Sequence, residues 1–119
     1  MTGINYLKFN KECAVFKSGE IIFRQGDTGD FMYGIISGEV HIEYDWNIID
    51  VVNEGGFIGE MALVGDNIRS ATVVAASDCV LTLVDKQCFL WLVQETPTFA
   101  TQVMQVMASR IQRLHSLAS

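Results

Sequence analysis

Glu60 and Arg69 stand nine residues apart in the stretch Gly55 to Ala75, and what surrounds them determines what such a pair can do. Gly55-Gly56 is a flexible turn, followed by the apolar pair Phe57-Ile58. At Gly59 the chain can turn tightly or let another group approach its backbone. Glu60 to Val64 fits one short helical turn that Gly65 ends. Arg69 sits at the mouth of the alternating run Ala71, Val73, Ala75, which reads as a strand. A helix start offers free backbone N–H groups to an anion, and Arg supplies a planar fork matched to phosphate oxygens. A carboxylate in the same place repels phosphate, so Glu60 needs a different partner, such as a sugar hydroxyl. A phosphate and a hydroxyl on one small ligand describe a nucleotide. The plainer alternative is a weak surface salt bridge within a loop.

The run Phe57-Ile58-Gly59-Glu60-Met61-Ala62-Leu63, then Ile68-Arg69-Ser70-Ala71-Thr72, resembles the phosphate-binding cassette of the cyclic nucleotide-binding domain family. A second stretch, Gly26-Asp27-Thr28-Gly29-Asp30-Phe31-Met32-Tyr33-Gly34-Ile35-Ile36-Ser37-Gly38-Glu39-Val40, resembles that family's other signature. The resemblance covers nearly the whole chain. The resemblance implies a ligand set of Gly59, Glu60, Met61, Ala62, Arg69 and Ser70. In it Arg69 takes the cyclic phosphate and Glu60 the ribose 2′-hydroxyl. Gly59, Met61 and Ala62 serve through their backbone, and the Met61 side chain reads as core packing. Ser70 places a hydroxyl near the phosphate or base. Leu114 and His115 are the candidate lid over the base, where some members carry a Thr-Ser pair. The family's Pro before the Arg is Ile68 here, which leaves the loop less constrained. The implied ligand is a cyclic nucleotide, cAMP in preference to cGMP, bound without catalysis.

The rest of the composition narrows the field. The 119 residues suit one domain over 1–119, and half of them are apolar, enough for a real core. The net charge of −6 argues against direct nucleic-acid binding, since the eight basic residues are scattered with Arg110 and Arg113 the one close pair. Neither a secretory leader nor an apolar run of membrane-spanning length is found. Cys13, Cys79 and Cys88 show no Cys-x-x-Cys spacing and read as reduced thiols, which fits a cytoplasmic protein. No metal is expected, because His41 and His115 are isolated and the cysteines do not cluster. No Gly-x-Ser-x-Gly elbow points to nucleophilic catalysis. Gly26, Gly29, Gly38 and Gly55 read as turn residues without a ligand role.

The elements that must position the pair are mostly short strands. Tyr6, Leu7 and Phe9 precede or enter a first strand reaching Phe16. Strands follow at Ile21–Arg24, Phe31–Ile36, Val40–Tyr44 and Ile48–Val52, with a hairpin turn at Asp45-Trp46-Asn47. Ala71–Ala76 and Cys79–Val84 complete the set. Short strands with Gly at the corners point to a mainly β protein, a β-roll or jelly roll over about 15–84. Two C-terminal helices follow over about 85–117. Asp85 caps the first, Lys86 to Gln94, and Thr96-Pro97 starts a long second one. On the long helix Met104, Met107, Ile111, Leu114 and Ala118 form an a/d-spaced seam. That seam either packs on its own domain or pairs with a second copy to give a homodimer. Two alternatives stand beside the sensor reading: a ligand-free interaction module of the same fold, or the sensor part of a transcription regulator. The downstream protein that would receive the signal is not identified by any residue.

Overall fold

The computed structural model describes residues 12–118. Tyr6, Leu7 and Phe9 lie outside them. In chain order the strands are β1 Cys13–Phe16, β2 Ile21–Phe23, β3 Phe31–Ser37, β4 Val40–Tyr44, β5 Asn47–Val52 and β6 Phe57–Ile58. The short helix α1 Glu60–Val64 follows, then β7 Thr72–Ala75, β8 Cys79–Asp85, α2 Lys86–Glu95 and α3 Pro97–Ala118. The strands form two four-stranded antiparallel sheets, ordered β1-β8-β3-β6 and β2-β7-β4-β5. This is the β-roll followed by a short and a long helix that the sequence implied.

Alternation along the strands builds the roll. Val40 and Ile42 of β4 and Val73 and Ala75 of β7 turn inward, all but inaccessible, and meet Ile35 and Leu81 of the opposite sheet. Burying each Val, Ile or Leu side chain here contributes about 1.5–3 kcal/mol. A second apolar cluster fastens the helices to the roll. Phe89 and Leu92 of α2 and Phe99 and Val103 of α3 pack on Met32, Phe57, Leu63 and Val84. The Phe89 and Phe99 rings meet edge to face, 6.0 Å between centroids.

Local signals set the helix ends. The Asp85 carboxylate accepts from the Cys88 N–H at 2.8 Å, a side-chain cap that contributes about 1 kcal/mol. Pro97 opens α3 where no N–H is needed. Two backbone details were not expected. The β4–β5 turn is a two-residue one at Asp45-Trp46, with positive φ at both (48° and 69°), the geometry of a tight primed hairpin. Within the hairpin, Ile42 faces Asp50 while Glu43 faces Ile48, so Ile49 is an extra residue in β5. Such a bulge re-aims its side chain, and Ile49 lines the recess described below.

Candidate functional site

Both sequence signatures meet at Arg69. The loop Gly26–Gly29 zips onto Asn67–Arg69 through backbone hydrogen bonds: Gly26 N–H to Arg69 C=O (2.9 Å), Arg69 N–H to Asp27 C=O (2.8 Å) and Gly29 N–H to Asn67 C=O (2.7 Å). Arg69 therefore leaves this ladder in a fixed direction, beneath the start of α1. Its side chain is 4% exposed. The guanidinium lies over the Phe23 ring, 4.0 Å from the centroid, and donates through Nη1 to the Gly59 carbonyl at 3.2 Å. Its Nε is buried with no hydrogen-bond partner. Among the described residues no carboxylate forms an ion pair with it. Burial pushes the Arg69 pKa down, and the negative charges of Asp30 and Asp27 act through space in the opposite sense. A guanidinium in a protein nonetheless stays protonated.

Two glycines make this position reachable. A Cβ on Gly29 would lie 2.2 Å from Arg69 Nε, and one on Gly59 would lie 2.6 Å from Arg69 Nη1. Gly59 also holds a left-handed conformation (φ 82°) at the start of α1, where no side chain caps the helix. Gly29 thus has a steric role beside the guanidinium as well as its place in a turn.

Glu60 is 1% exposed, and its Oε1 accepts from Arg110 Nη1 at 2.5 Å. Arg110, on α3, is equally enclosed. Its Nη2 donates to the Phe57 carbonyl at 2.8 Å and its Nε to Asp50 Oδ2 at 3.3 Å, an oxygen that Arg113 also reaches at 3.0 Å. Burial raises the Glu60 pKa above the usual carboxylate range, opposed by the positive charge of Arg110. Arg110 and Asp50 were not singled out in the sequence. The signal was present: Arg110 lies seven residues after Val103, on the face of α3 that packs inward.

Glu60, Arg69 and Arg110 border one recess that is open to solvent and encloses a cavity of about 30 Å³, room for a water or two. Gly59, Glu60, Met61, Ala62, Arg69 and Ser70 all line it, as does Leu114 from α3. His115 does not; it is exposed on the next position of the helix. Ile42, Ile49, Ala71 and Val73 supply an apolar floor. Clefts that hold small molecules combine such a floor with a few polar groups and start at about 300 Å³, so a ligand of nucleotide size requires this recess to widen. Among the described residues no His, Cys, Asp and Glu side chains are grouped to hold a metal ion. No described helix is long and apolar enough to cross a membrane.

A β-roll with helices folded across a recess, lined by a buried base and acid from one glycine-framed bend, is the architecture of a ligand-binding domain. The chain belongs to the cyclic nucleotide-binding domain family, whose pattern matches residues 14–96. It is similar to a cAMP-dependent protein kinase regulatory subunit of Debaryomyces hansenii, 40% identical over 91 residues, covering 75% of this chain and 20% of that protein. The fold is similar to that of the Thermus thermophilus catabolite activator protein (TM-score 0.77, 25% identity, 97% of this chain and 56% of that one). It is also similar to the EAL enzyme Bd1971 in its cGMP-bound form (TM-score 0.67, 33% identity, 90% of this chain and 30% of that one). A cAMP-bound form of that enzyme matches as well (TM-score 0.65, 32% identity, 87% and 29% covered). The chain spans a fifth or less of the length of the first curated relatives it matches.

Proposed function

We propose that this chain is a non-catalytic receptor for a cyclic nucleotide, cAMP in preference to cGMP. The observation that carries the reading is Arg69: a buried guanidinium whose Nε lacks a hydrogen-bond partner and which forms no ion pair among the described residues, lining a recess with an apolar floor. A buried charge of this kind costs several kcal/mol unless something pairs with it. A cyclic phosphate supplies the missing charge and acceptors, helped by the N–H groups near Ala62 and Ser70. Glu60 accepts from the ribose 2′-hydroxyl. Leu114 closes over the base, with His115 at the rim. Beyond Arg69, Glu60, Ser70 and Arg110 the walls are mostly apolar. That favours adenine over guanine, whose extra polar groups would lack partners. A charge-assisted hydrogen bond contributes about 1.5–3 kcal/mol, and micromolar binding needs about 8 kcal/mol, so phosphate contacts and base burial act together.

The same carboxylate supports a relay. Glu60 already holds α3 through Arg110, so a hydroxyl arriving at Glu60 alters the bond that fixes the helix. Occupancy then shifts α2 and α3 by the ligand's differential affinity for their two positions. A homodimer along α3 is part of the proposal, supported by Met104 and Ile111, which are 62% and 52% exposed. A monomer mass in light scattering would remove that part. The proposed setting is the cytoplasm, with an unidentified protein receiving the signal.

Thermal shift with cAMP, cGMP and linear AMP tests the core of the reading. Ligand at a hundred times Kd stabilises by about 2.7 kcal/mol. The melting point rises with the cyclic forms, most with cAMP, and not with AMP. No rise with any of the three favours a ligand-free interaction module of the same fold, a reading supported by the prior engagement of Glu60 with Arg110.

A further inference from the structure

Arg69 poses a problem that its hydrogen bonds do not solve. A long, flexible cation is held at one place inside the protein, yet among the described residues only the Gly59 carbonyl accepts from its side chain, at 3.2 Å. A carboxylate would be the usual anchor. It would also neutralise the charge and occupy the N–H edge that an incoming anion needs. The structure uses a face instead of an edge. Phe23, at the end of β2, lies under the guanidinium with its centroid 4.0 Å from Cζ. Tyr33 of β3 lies beside Phe23, centroids 6.2 Å apart at an interplanar angle of 22°, and its own centroid is 5.8 Å from the same Cζ. Gly29 and Gly59 leave the room this stack requires, since a Cβ on either would collide with the guanidinium.

We infer that Phe23, flanked by Tyr33, is the positioning residue of the anion site: an aromatic shelf that holds the Arg69 charge in place while leaving its in-plane donors free. A guanidinium offers five N–H groups in one plane, and an aromatic ring attracts the cation through the perpendicular direction. The ring therefore stabilises the empty site without competing for the phosphate. An aliphatic side chain at position 23 would fill the same space and leave the guanidinium free to seek Asp27 or Asp30, the acids on the neighbouring loop that already act on it through space. The shelf sets how much of Arg69's charge is presented to the recess before any ligand arrives. The affinity part of this inference rests on the proposed cyclic-nucleotide reading; the shelf itself does not.

Fluorinated phenylalanines placed at position 23 of the full chain separate electrostatics from packing. Each added fluorine weakens the negative face of the ring while nearly preserving its shape and apolar character. The first readout is the ligand-free protein: hydrogen exchange of the Arg69 Nε–H by NMR quickens stepwise from phenyl to trifluorophenyl. The second is calorimetry with cAMP, where Kd rises in the same order, by about tenfold over the series. Phe23→Tyr retains the wild-type values and Phe23→Leu falls at the weak end. An affinity that stays flat across the series overturns the inference, because a ring that only packs is insensitive to fluorine. If the wild-type protein binds no cyclic nucleotide, the proposed ligand falls. The exchange series then decides the shelf alone: a stepwise trend upholds it and a flat one overturns it.

Discussion

Arg69 and Arg110 are each 4% exposed, yet the two regions around them treat a buried charge in opposite ways. Around Arg110 the protein supplies everything: the Glu60 carboxylate, the Asp50 carboxylate and the Phe57 carbonyl. Around Arg69 it supplies one carbonyl and an aromatic face, and leaves Nε unmatched. Burial costs both guanidiniums their hydration. At Arg110 the cost is offset inside the fold, so that residue is a clasp between α3, β5 and the start of α1. At Arg69 no ion pair among the described residues offsets it, and the proposed function assigns that part to an anionic ligand. The contrast shows why burial alone is a poor guide to function, whereas burial without an ion-paired contact is a better one.

Mutations can break this contrast from either side. The largest expected effect is on stability at the clasp. Arg110→Ala strands the Glu60 carboxylate in a dry site and costs about 3–5 kcal/mol in urea unfolding. Adding Glu60→Gln recovers part of that loss, because the stranded charge is gone. An Arg110→Ala protein as stable as wild type would show that the clasp contributes nothing. The matching change at the other arginine, Arg69→Met, removes a charge that has no partner. Its unfolding free energy does not fall and rises by about 1–3 kcal/mol, since relief from desolvation exceeds the lost ring contact.

The acid side of the clasp gives a pH signature. The folded Glu60 pKa lies above its unfolded value because of burial. Between those two values the folded state holds a proton that the unfolded chain does not. Stability from this group therefore rises as pH falls through the window, by at most about 1.4 kcal/mol per pH unit. Urea unfolding of wild type and Glu60→Gln from pH 7 downward measures it, and the difference between them moves in favour of wild type. A difference that moves the other way means that Arg110 outweighs burial. The smallest effect lies far from both arginines. Trp46 is 97% exposed with φ 69°, a conformation that costs a side-chain-bearing residue about 1–2 kcal/mol. Trp46→Gly gives the hairpin its preferred Asp-Gly turn and raises the melting temperature slightly.

Much of this was legible in the sequence because the signals are local. The strand sequence, the Asp85 cap, the Thr96-Pro97 start and the short helix closed by Gly65 each depend on a few neighbouring residues. So did the cassette, whose six ligand candidates line one recess. What was not legible depends on distance along the chain. The Glu60–Arg110 bond joins residues fifty positions apart, and Asp50 enters through a strand whose bulge at Ile49 no alternation pattern reveals. Gly29 read as a turn residue because its contact, Arg69, lies on a different signature. The apolar seam of α3 proved divided. Met107 is half-buried and packs toward the helix-side core, Leu114 borders the recess, and Met104 and Ile111 face outward. Spacing alone does not tell a domain-facing row from a partner-facing one.

The most direct test compares Arg69 with its own absence. Isothermal calorimetry of cAMP is run on wild type and on Arg69→Ala, after matched unfolding curves establish that both are folded. The account predicts micromolar-range binding to wild type and a loss of about 2–5 kcal/mol in the variant, because the phosphate charge is left unpaired in a closed recess. Undiminished affinity in the variant would contradict it.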